Sequence, residues 1–248
     1  MNPYDLTGKR ILVTGASSGI GRACAICSAQ LGASVILTGR RQSALNETHA
    51  KCDGDSHLVV AGDINSSEFI KELVEKCGKI DGLVHAAGIG PMCPVGMLTD
   101  EHFDSVMRTN YYSFLELMKY YSKNKYRNAR LSVVAISSVS SSSGWGGVVV
   151  YCGSKGALSS SVRALAMELA SKGIRVNAVC PSNIKTPLYD AGASDMNDEA
   201  ALKELLKKQP LGLGEPEQVA WPVCFLLSDA ASFITGVNLP VDGGYLAQ

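Results

Sequence analysis

The sequence lacks an excess charge of either sign, because its 23 lysine and arginine residues are balanced by 23 aspartate and glutamate residues. Proteins that hold nucleic acid through a broad basic surface carry such an excess, so we expect no nucleic acid partner. Long apolar runs are missing too, and none approaches the roughly 18 residues that a membrane-spanning helix needs. We therefore expect no membrane partner.

The eight cysteines lack the regular spacing of a disulfide framework. Cys24 and Cys27 form a single C-x-x-C pair inside a predicted helix, with no second pair and no histidine beside it. Because a structural zinc site needs four ligands, we interpret this pair as ordinary helix packing and predict no metal. Cysteines without a framework indicate the reducing cytoplasm.

The sequence does contain a regular alternation of short β-rich runs and segments of helical length. The runs predicted as strands are Arg10–Thr14, Ser34–Thr38, Leu58–Ala61, Gly82–His85, Leu131–Ile136, Ile174–Val179 and Val237–Val241. The alternation predicts an α/β fold, a doubly wound Rossmann-type parallel sheet of about seven strands with helices on both faces. No linker, repeat or shift in composition divides the chain, so we predict one domain over residues 1–248.

The predicted helices fill the intervals between these strands. They cover Ala23–Leu31, Gln42–Lys51, Ser66–Cys77, Asp100–Lys123, Tyr151–Lys172, Glu199–Lys208 and Pro216–Leu227. We expect the longest of them to bend near Asn110.

Gly15, Gly19 and Gly21 lie between the first predicted strand and its helix. Glycines at such a junction let the backbone approach a pyrophosphate, which the free N–H groups of the helix N-terminus then bind. The spacing G-x-x-x-G-x-G differs from the commoner G-x-G-x-x-G. Its place in the first strand–helix unit nevertheless predicts a nucleotide cofactor.

The second predicted strand ends at Gly39-Arg40-Arg41, with two guanidinium groups and no carboxylate. An NAD site places an acidic residue there, whereas arginine favours the 2′-phosphate of NADP. We therefore predict NADP(H) over NAD(H); the alternative is that both arginines open the next helix on a solvated face. Asp63 ends the third strand, where it either accepts from the adenine amino group or caps the Ser66 region.

Tyr151 and Lys155 are four residues apart at the start of a predicted helix, so their side chains share one helix face. A phenol beside an ammonium group is a candidate proton donor near neutral pH. The alternative is that the two residues merely share an amphipathic helix.

The motifs fall in one order along the chain, together with Gly62-Asp63, Ala86–Gly88, Asn110, Ser138 and Pro181. In this order they resemble the short-chain dehydrogenases/reductases, in the single-domain branch. The C-terminal segments Phe225–Asp229, Thr235-Gly236 and Val241–Gly244 are similar to the 3-oxoacyl-ACP-reductase-like members. The resemblance covers about residues 6–245.

The resemblance implies a catalytic set of Asn110, Ser138, Tyr151 and Lys155. Tyr151 would exchange a proton with the carbonyl or alcohol oxygen, and Ser138 would hydrogen bond the same oxygen. Lys155 would hold the ribose hydroxyls and lower the tyrosine pKa, and Asn110 would bind a water that links Lys155 to solvent. The expected cofactor-binding residues are Gly15, Ser17, Ser18, Gly19, Ile20, Gly21, Arg40, Arg41, Asp63, Ile64, Ala87, Gly88, Tyr151, Lys155, Pro181, Ile184 and Thr186.

The pKa of the tyrosine sets how much Lys155 must contribute. A free tyrosine titrates at ~10, so a pKa near 7 needs roughly 4 kcal/mol. One ammonium at ~4 Å supplies about that much in an effective dielectric of ~20. We therefore expect Lys155 to bring the Tyr151 pKa close to neutrality.

The sequence departs from the family pattern in three motifs. His85 and Ala86 replace two asparagines, and we interpret His85 as an interior residue. Ser182 replaces the glycine that often follows Pro181. Ser17 and Ser18 lack the basic residue of many NADP-preferring members, which leaves Arg40 as the main argument for NADP.

The expected activity is interconversion of a ketone and a secondary alcohol by hydride transfer. Reduction of a 3-oxoacyl thioester is one option, and a keto-sugar or a steroid-like ketone is the alternative. An NADP-sensing regulator without turnover is the non-enzymatic alternative, although a sensor needs no tuned phenol. A nucleotide-sugar epimerase or dehydratase would have a longer chain and a tighter glycine turn.

The resemblance places substrate contacts in the loops Ile89–Met97 and Val139–Val150 and in a lid at about 183–210. A basic cluster, defined as Lys119, Lys123, Lys125, Arg127 and Arg130, either meets an acyl-carrier protein or, as we prefer, forms a solvated face. We also expect a homotetramer or homodimer, built through the helices Asp100–Lys123 and Tyr151–Lys172 and the C-terminal strand.

Overall fold

Seven strands form one parallel sheet in the computed structural model, which describes residues 2–192, 203 and 206–247. They are β1 (Arg10–Thr14), β2 (Ser34–Gly39), β3 (Leu58–Ala61), β4 (Ile80–His85), β5 (Arg127–Ile136), β6 (Ile174–Pro181) and β7 (Asn238–Val241). Their order is β3-β2-β1-β4-β5-β6-β7, and all neighbours are parallel. The predicted doubly wound α/β fold is confirmed for this part of the chain.

Helices connect the strands and cover both faces of the sheet. They are α1 (Gly19–Gln30), α2 (Gln42–His49), α3 (Ser67–Cys77), α4 (Asp100–Met107), α5 (Ser113–Tyr121), α6 (Val149–Leu169), α7 (Pro187–Gly192) and α8 (Pro216–Leu227). α1 packs against α8 on one face, and α3 packs against α5 on the other.

The sheet separates two apolar cores, because successive residues of a strand point to opposite faces of the sheet. In β1, Ile11 and Val13 join the core under α1 and α8, whereas Leu12 joins the core under α3, α5 and α6. All three are fully buried. A parallel sheet that is covered on both faces needs consecutive apolar residues in its strands, which explains the run Ile11, Leu12 and Val13 in β1.

The helix predicted over Asp100–Lys123 changes type in its middle. α4 ends at Met107, a π-helical turn covers Arg108–Tyr112, and α5 begins at Ser113. Wider π turns are frequent at functional sites. The bend expected near Asn110 corresponds to this turn.

Other boundaries differ from the predictions by a few residues. β5 begins four residues early because Arg127 pairs with Ile80 of β4. The Arg127 side chain is buried there, and its guanidinium donates to the backbone carbonyls of residues 128 and 129. Most of the helix predicted at Glu199–Lys208 and part of the lid predicted at 183–210 lie outside the described residues. Residues 206–208 are helical.

The strand order places a crevice beside β1. The chain leaves β1 toward β2 and β3 on one side and returns to β4 on the other side. In doubly wound sheets ligands bind at this switch point, outside the carboxyl ends of the strands. Thr14 of β1 and His85 of β4 are register partners at that edge.

Candidate active site

A cleft of about 1130 Å³ opens at the carboxyl edge of the sheet. Every predicted site residue except Asn110 lines it. These residues are Gly15, Ser17, Ser18, Gly19, Ile20, Gly21, Arg40, Arg41, Asp63, Ile64, Ala87, Gly88, Ser138, Tyr151, Lys155, Pro181, Ile184 and Thr186. Segments far apart in sequence therefore meet in one cleft.

The glycine turn between β1 and α1 is closely packed. A Cβ on Gly15 would lie 2.8 Å from the backbone of Ala86, and its φ of +66° favours glycine. A Cβ on Gly21 would lie 2.3 Å from the carbonyl oxygen of Gly15. No side chain caps the N-terminus of α1, so its N–H groups and the positive end of its dipole suit a pyrophosphate. The turn therefore fits a dinucleotide cofactor.

Arg40 and Arg41 follow β2 at the rim of the cleft, and both side chains are exposed. Among the residues that the structure describes, neither guanidinium forms a hydrogen bond or an ion pair. Unpaired guanidiniums at this rim suit an anionic group such as a phosphate.

Asp63 follows β3 by two residues and lies at the same rim. Its Oδ1 accepts a hydrogen bond from the backbone N–H of Asn65 at 3.0 Å. Ser66 rather than Asp63 caps α3, since Ser66 Oγ accepts from the Phe69 N–H at 3.1 Å. The Asp63 carboxylate therefore belongs to the cleft lining and not to the helix cap.

Asn110 is fully buried behind the cleft. Its Oδ1 accepts from the Ile89 N–H at 2.8 Å, and its Nδ2 donates to the Ile89 carbonyl at 2.9 Å. Nδ2 also donates to Ser154 Oγ at 2.9 Å, and Ser154 Oγ donates to the Tyr151 carbonyl at 2.7 Å. The Asn110 amide thus ties the loop after β4 to the turn of α6 that carries Tyr151.

Ser138 and Tyr151 bring two hydroxyl groups together in the cleft. Ser138 Oγ accepts from the Ser140 N–H at 3.1 Å and lies 3.4 Å from the Pro181 carbonyl. The Ser138 side chain also lies close enough to the Tyr151 phenol to lower its pKa. Gly90 lies against the phenol ring, where a Cβ would come within 3.1 Å of ring Cδ2. Adjacent hydroxyls can both bond one oxygen atom of a ligand.

Lys155 donates from Nζ to the Ile136 carbonyl at 2.7 Å, and Nζ lies 5.7 Å from the centre of the Tyr151 ring. Burial lowers the pKa of Lys155 to about 8. Burial also raises the pKa of Tyr151, and the nearby Ser138 side chain offsets this only in part. Our prediction of a Tyr151 pKa close to neutrality is therefore wrong for the protein on its own, because burial disfavours the charged forms of both groups.

His85 is a buried, neutral histidine. Thr14 Oγ1 accepts from the backbone N–H groups of residues 86 and 87, both at 3.1 Å, which leaves its own proton for His85 Nδ1 at 3.2 Å. The imidazole proton therefore lies on Nε2. The Asn110 backbone faces the ring, but Nε2 has no hydrogen-bond partner in the described chain. Burial lowers the His85 pKa to about 3. The interior position that we predicted is confirmed.

Sequence reasoning assigned no role to Thr14, Ser154 or Gln209. Thr14 and Ser154 lie inside the quoted motifs, and their position next to Gly15 and Lys155 could have indicated a role at the site. Nothing in the sequence marked Gln209, because its hydrogen-bond partners are 26 and 27 residues away. Gln209 Oε1 accepts from Ser182 Oγ at 2.8 Å, and its Nε2 donates to the Asn183 carbonyl at 3.1 Å. The serine that departs from the family pattern is thereby held in place.

Cys24 and Cys27 are buried in the core under α1. Burial raises the pKa of Cys27 to about 12. Their burial agrees with our interpretation as helix packing. Over the described ranges we find no cluster of three or more His, Cys, Asp or Glu side chains suited to a metal ion. In the same ranges no helix combines the length and apolarity of a membrane span.

The sequence is similar to known reductases over nearly its whole length. The family model described as enoyl-(acyl carrier protein) reductase matches residues 15–246. A 3-oxoacyl-[acyl-carrier-protein] reductase of Rickettsia conorii is 37% identical over 243 residues, which is 98% of each chain. An L-xylulose reductase of Caenorhabditis elegans is 36% identical over 247 residues, which is 98% of this chain and 97% of the relative.

Solved structures share the fold over nearly the whole length of this chain. A candidate short-chain alcohol dehydrogenase from Sinorhizobium meliloti has a TM-score of 0.92 and 33% identity, covering 99% of both chains. A candidate NAD(P)-dependent gluconate 5-dehydrogenase from Beutenbergia cavernae, with NADP bound at low occupancy, has a TM-score of 0.90 and 32% identity over 100% of both chains. This chain therefore belongs to the short-chain dehydrogenase/reductase family of oxidoreductases.

Proposed function

We propose that this protein, as a single domain over residues 1–248, interconverts a ketone and a secondary alcohol with NADP(H), using Tyr151 as the acid/base. The observation that carries the proposal is the meeting of Ser138, Tyr151 and Lys155 in the cleft that the glycine turn borders. When bound, NADPH supplies a hydride to the carbonyl carbon. The Tyr151 hydroxyl gives a proton to the carbonyl oxygen, so that one hydride and one proton convert the ketone to the alcohol.

The neighbouring residues divide the remaining work. Ser138 donates a hydrogen bond to the same oxygen and so fixes its position. Lys155 holds the ribose hydroxyls, and its ammonium stabilises the phenolate left on Tyr151 after proton transfer. Asn110 holds the loop after β4 against α6 through its bonds to Ile89 and Ser154, and binds the water that links Lys155 to solvent.

Tyr151→Phe tests the acid/base role. We expect turnover to fall by at least ~100-fold, the contribution of a positioned proton donor, while NADPH binding stays near the wild-type value. Tyr120→Phe, a substitution outside the cleft, is the matched control and should leave both unchanged. A Tyr151→Phe rate above about a tenth of wild type would exclude the role. NADPH binding without turnover of any carbonyl compound by the wild type would favour the sensor.

Arg40 and Arg41 support a preference for NADP, because both are unpaired at the rim where β2 ends. A charge-assisted hydrogen bond contributes roughly 1.5–3 kcal/mol. We therefore expect Arg40→Asp to lower the ratio of kcat/KM for NADPH to that for NADH by on the order of tenfold or more. Lys51→Asp, an exposed change outside the cleft, is the control. An unchanged ratio in Arg40→Asp would disprove the assignment.

A 3-oxoacyl thioester is one substrate option, but the basic cluster does not support acyl-carrier docking near the site. Arg127 is buried, and Lys125 pairs with Glu75 at 3.0 Å. The cluster surrounds the amino end of β5, whereas Ser138 follows its carboxyl end. β5 has ten residues, so the two lie about 30 Å apart at ~3.3 Å per residue. We therefore retain the cluster as a solvated face.

We propose a homotetramer or homodimer that works in the cytoplasm. Exposed apolar side chains on the helices predicted to pair, Tyr112, Val149 and Met167, support an interface there, and Phe233 is fully exposed near β7. All eight cysteines are free thiols, which supports a reducing compartment. Light scattering during size-exclusion chromatography would measure the assembly, and a monomer would contradict it.

A further inference from the structure

Large side chains from several loops line the same cleft as Ser138 and Tyr151. We call this part of the lining the substrate chamber and define it by Met92, Trp145, Val148, Leu188, Tyr189 and Tyr245. It shares the cleft with the two hydroxyls that would bind a carbonyl oxygen, so we argue the rest of the substrate from its chemistry.

Apolar side chains in the chamber are unusually open to solvent. Met92 is 54% exposed, and Trp145 and Leu188 are each 46% exposed. The loops that carry Met92 and Trp145 are held together, since the Cys93 N–H donates to the Gly147 carbonyl at 2.7 Å. Large apolar groups that are exposed in a cleft mark a surface that a ligand covers.

Two polar side chains that line the cleft near Leu188 form hydrogen bonds within the protein. Ser182 Oγ donates to Gln209 Oε1 at 2.8 Å, and Asn183 Nδ2 donates to the same atom at 3.3 Å. Gln209 itself is buried. Lys208 also lines the cleft, and it has an interaction partner within the chain. Among the described residues, the Ser182 hydroxyl and the Asn183 amide N–H groups are therefore already bonded within the protein.

A polyol would leave most of its hydroxyls unpaired in such a chamber. Each hydroxyl that leaves water without a new partner weakens binding, and a site that recognises hydroxyls supplies a partner for each. The phenols of Tyr189 and Tyr245 offer one polar group each on a large apolar body. The chamber therefore favours an apolar substituent over a hydroxylated one.

We propose that the substrate is a ketone whose larger substituent is an apolar chain or ring that lies against Met92, Trp145 and Leu188. This rests on the proposed ketone reduction by the same site. Within that activity, it excludes an open-chain keto-sugar as the preferred substrate.

A series of methyl ketones, from butan-2-one to decan-2-one, tests the proposal with NADPH as the reductant. Burial of each added methylene should raise kcat/KM about fourfold until the chamber is filled. A ketopentose should react with a lower kcat/KM than octan-2-one. A flat series together with a higher kcat/KM for the ketopentose would overturn the proposal.

Binding separates this proposal from the proposed activity. Affinities of the same ketones for the NADPH complex, measured from cofactor fluorescence, should rise by a similar factor per methylene even in Tyr151→Phe. A rise in affinity without turnover in the wild type would support the apolar chamber and contradict the reductase activity. Turnover in the wild type without any dependence on chain length would support the reductase activity and contradict the apolar chamber.

Trp145→Ser connects the effect to the chamber. We expect the variant to lose on the order of tenfold in kcat/KM for octan-2-one and little for butan-2-one, because only the longer chain reaches the indole. Trp221→Ser is a matched control, since Trp221 is also 46% exposed but lies on α8 outside the cleft. Met92→Ser is a second test on another loop. Equal losses for both ketones in both chamber variants would overturn the proposal.

Discussion

Lys155→Met should stabilise the folded protein at neutral pH while it removes activity, because the buried ammonium opposes folding. Lys155 is 4% exposed, and burial lowers its pKa from 10.5 to about 8. Below pH 8 the lysine is charged in both the folded and the unfolded chain. The difference in pKa then costs about 3 kcal/mol of the free energy of unfolding.

The substitution also removes a favourable contact. Methionine fills a similar volume, but the Ile136 carbonyl loses the donor that Nζ provides at 2.7 Å, which costs about 1 kcal/mol. The net gain at pH 7 is therefore about 2 kcal/mol. As the pH rises from 8 toward 10.5 the folded lysine loses its proton first, so its cost shrinks and the gain falls below ~1 kcal/mol at pH 9.5.

Urea unfolding, followed by tryptophan fluorescence without added cofactor at pH 7 and pH 9.5, measures this difference. Lys51→Met is the control, because Lys51 is exposed and a surface change should stay within about 0.5 kcal/mol at both pH values. A Lys155→Met protein that is no more stable than wild type at pH 7 would refute the reasoning. A gain that does not change with pH would refute it as well.

Two further substitutions test the packing around the site. Gly21→Ala should lower the free energy of unfolding by about 1–3 kcal/mol and weaken NADPH binding, because the new Cβ would lie 2.3 Å from the Gly15 carbonyl oxygen. Its control is Gly153→Ala in α6, where a Cβ meets nothing within 4 Å. This control should raise the free energy of unfolding by up to about 1 kcal/mol. His85→Leu should cost about 1–3 kcal/mol by leaving the Thr14 hydroxyl proton without an acceptor, and His85→Asn should recover part of it. Urea unfolding measures both pairs, and equal stabilities within either pair would contradict that account.

The fold and most of the cleft lining could be predicted because their signals are local. β1 is recognisable as a buried strand from five consecutive residues, and Gly15, Gly19 and Gly21 mark the turn that follows. Tyr151 and Lys155 share a face because the helix repeat places residues four apart together. The structure moved the start of their helix only to Val149.

Contacts between distant segments gave no such signal. Thr14 and His85 are 71 residues apart in sequence, and Asn110 and Ser154 are 44 apart. The π-helical turn Arg108–Tyr112 carries Asn110, whose amide bonds reach residues 89 and 154. No pattern within a single segment predicts such pairs.

The sequence by itself determined the sheet, the glycine turn and the Tyr151–Lys155 pair, because hydrophobic periodicity and helix geometry act over a few residues. The tertiary structure decided how these groups behave. Burial, which depends on every surrounding segment, lowers the pKa of Lys155 to about 8 and raises that of Tyr151. The same packing engages Ser182 and Asn183 with Gln209 and leaves Trp145 exposed in the cleft.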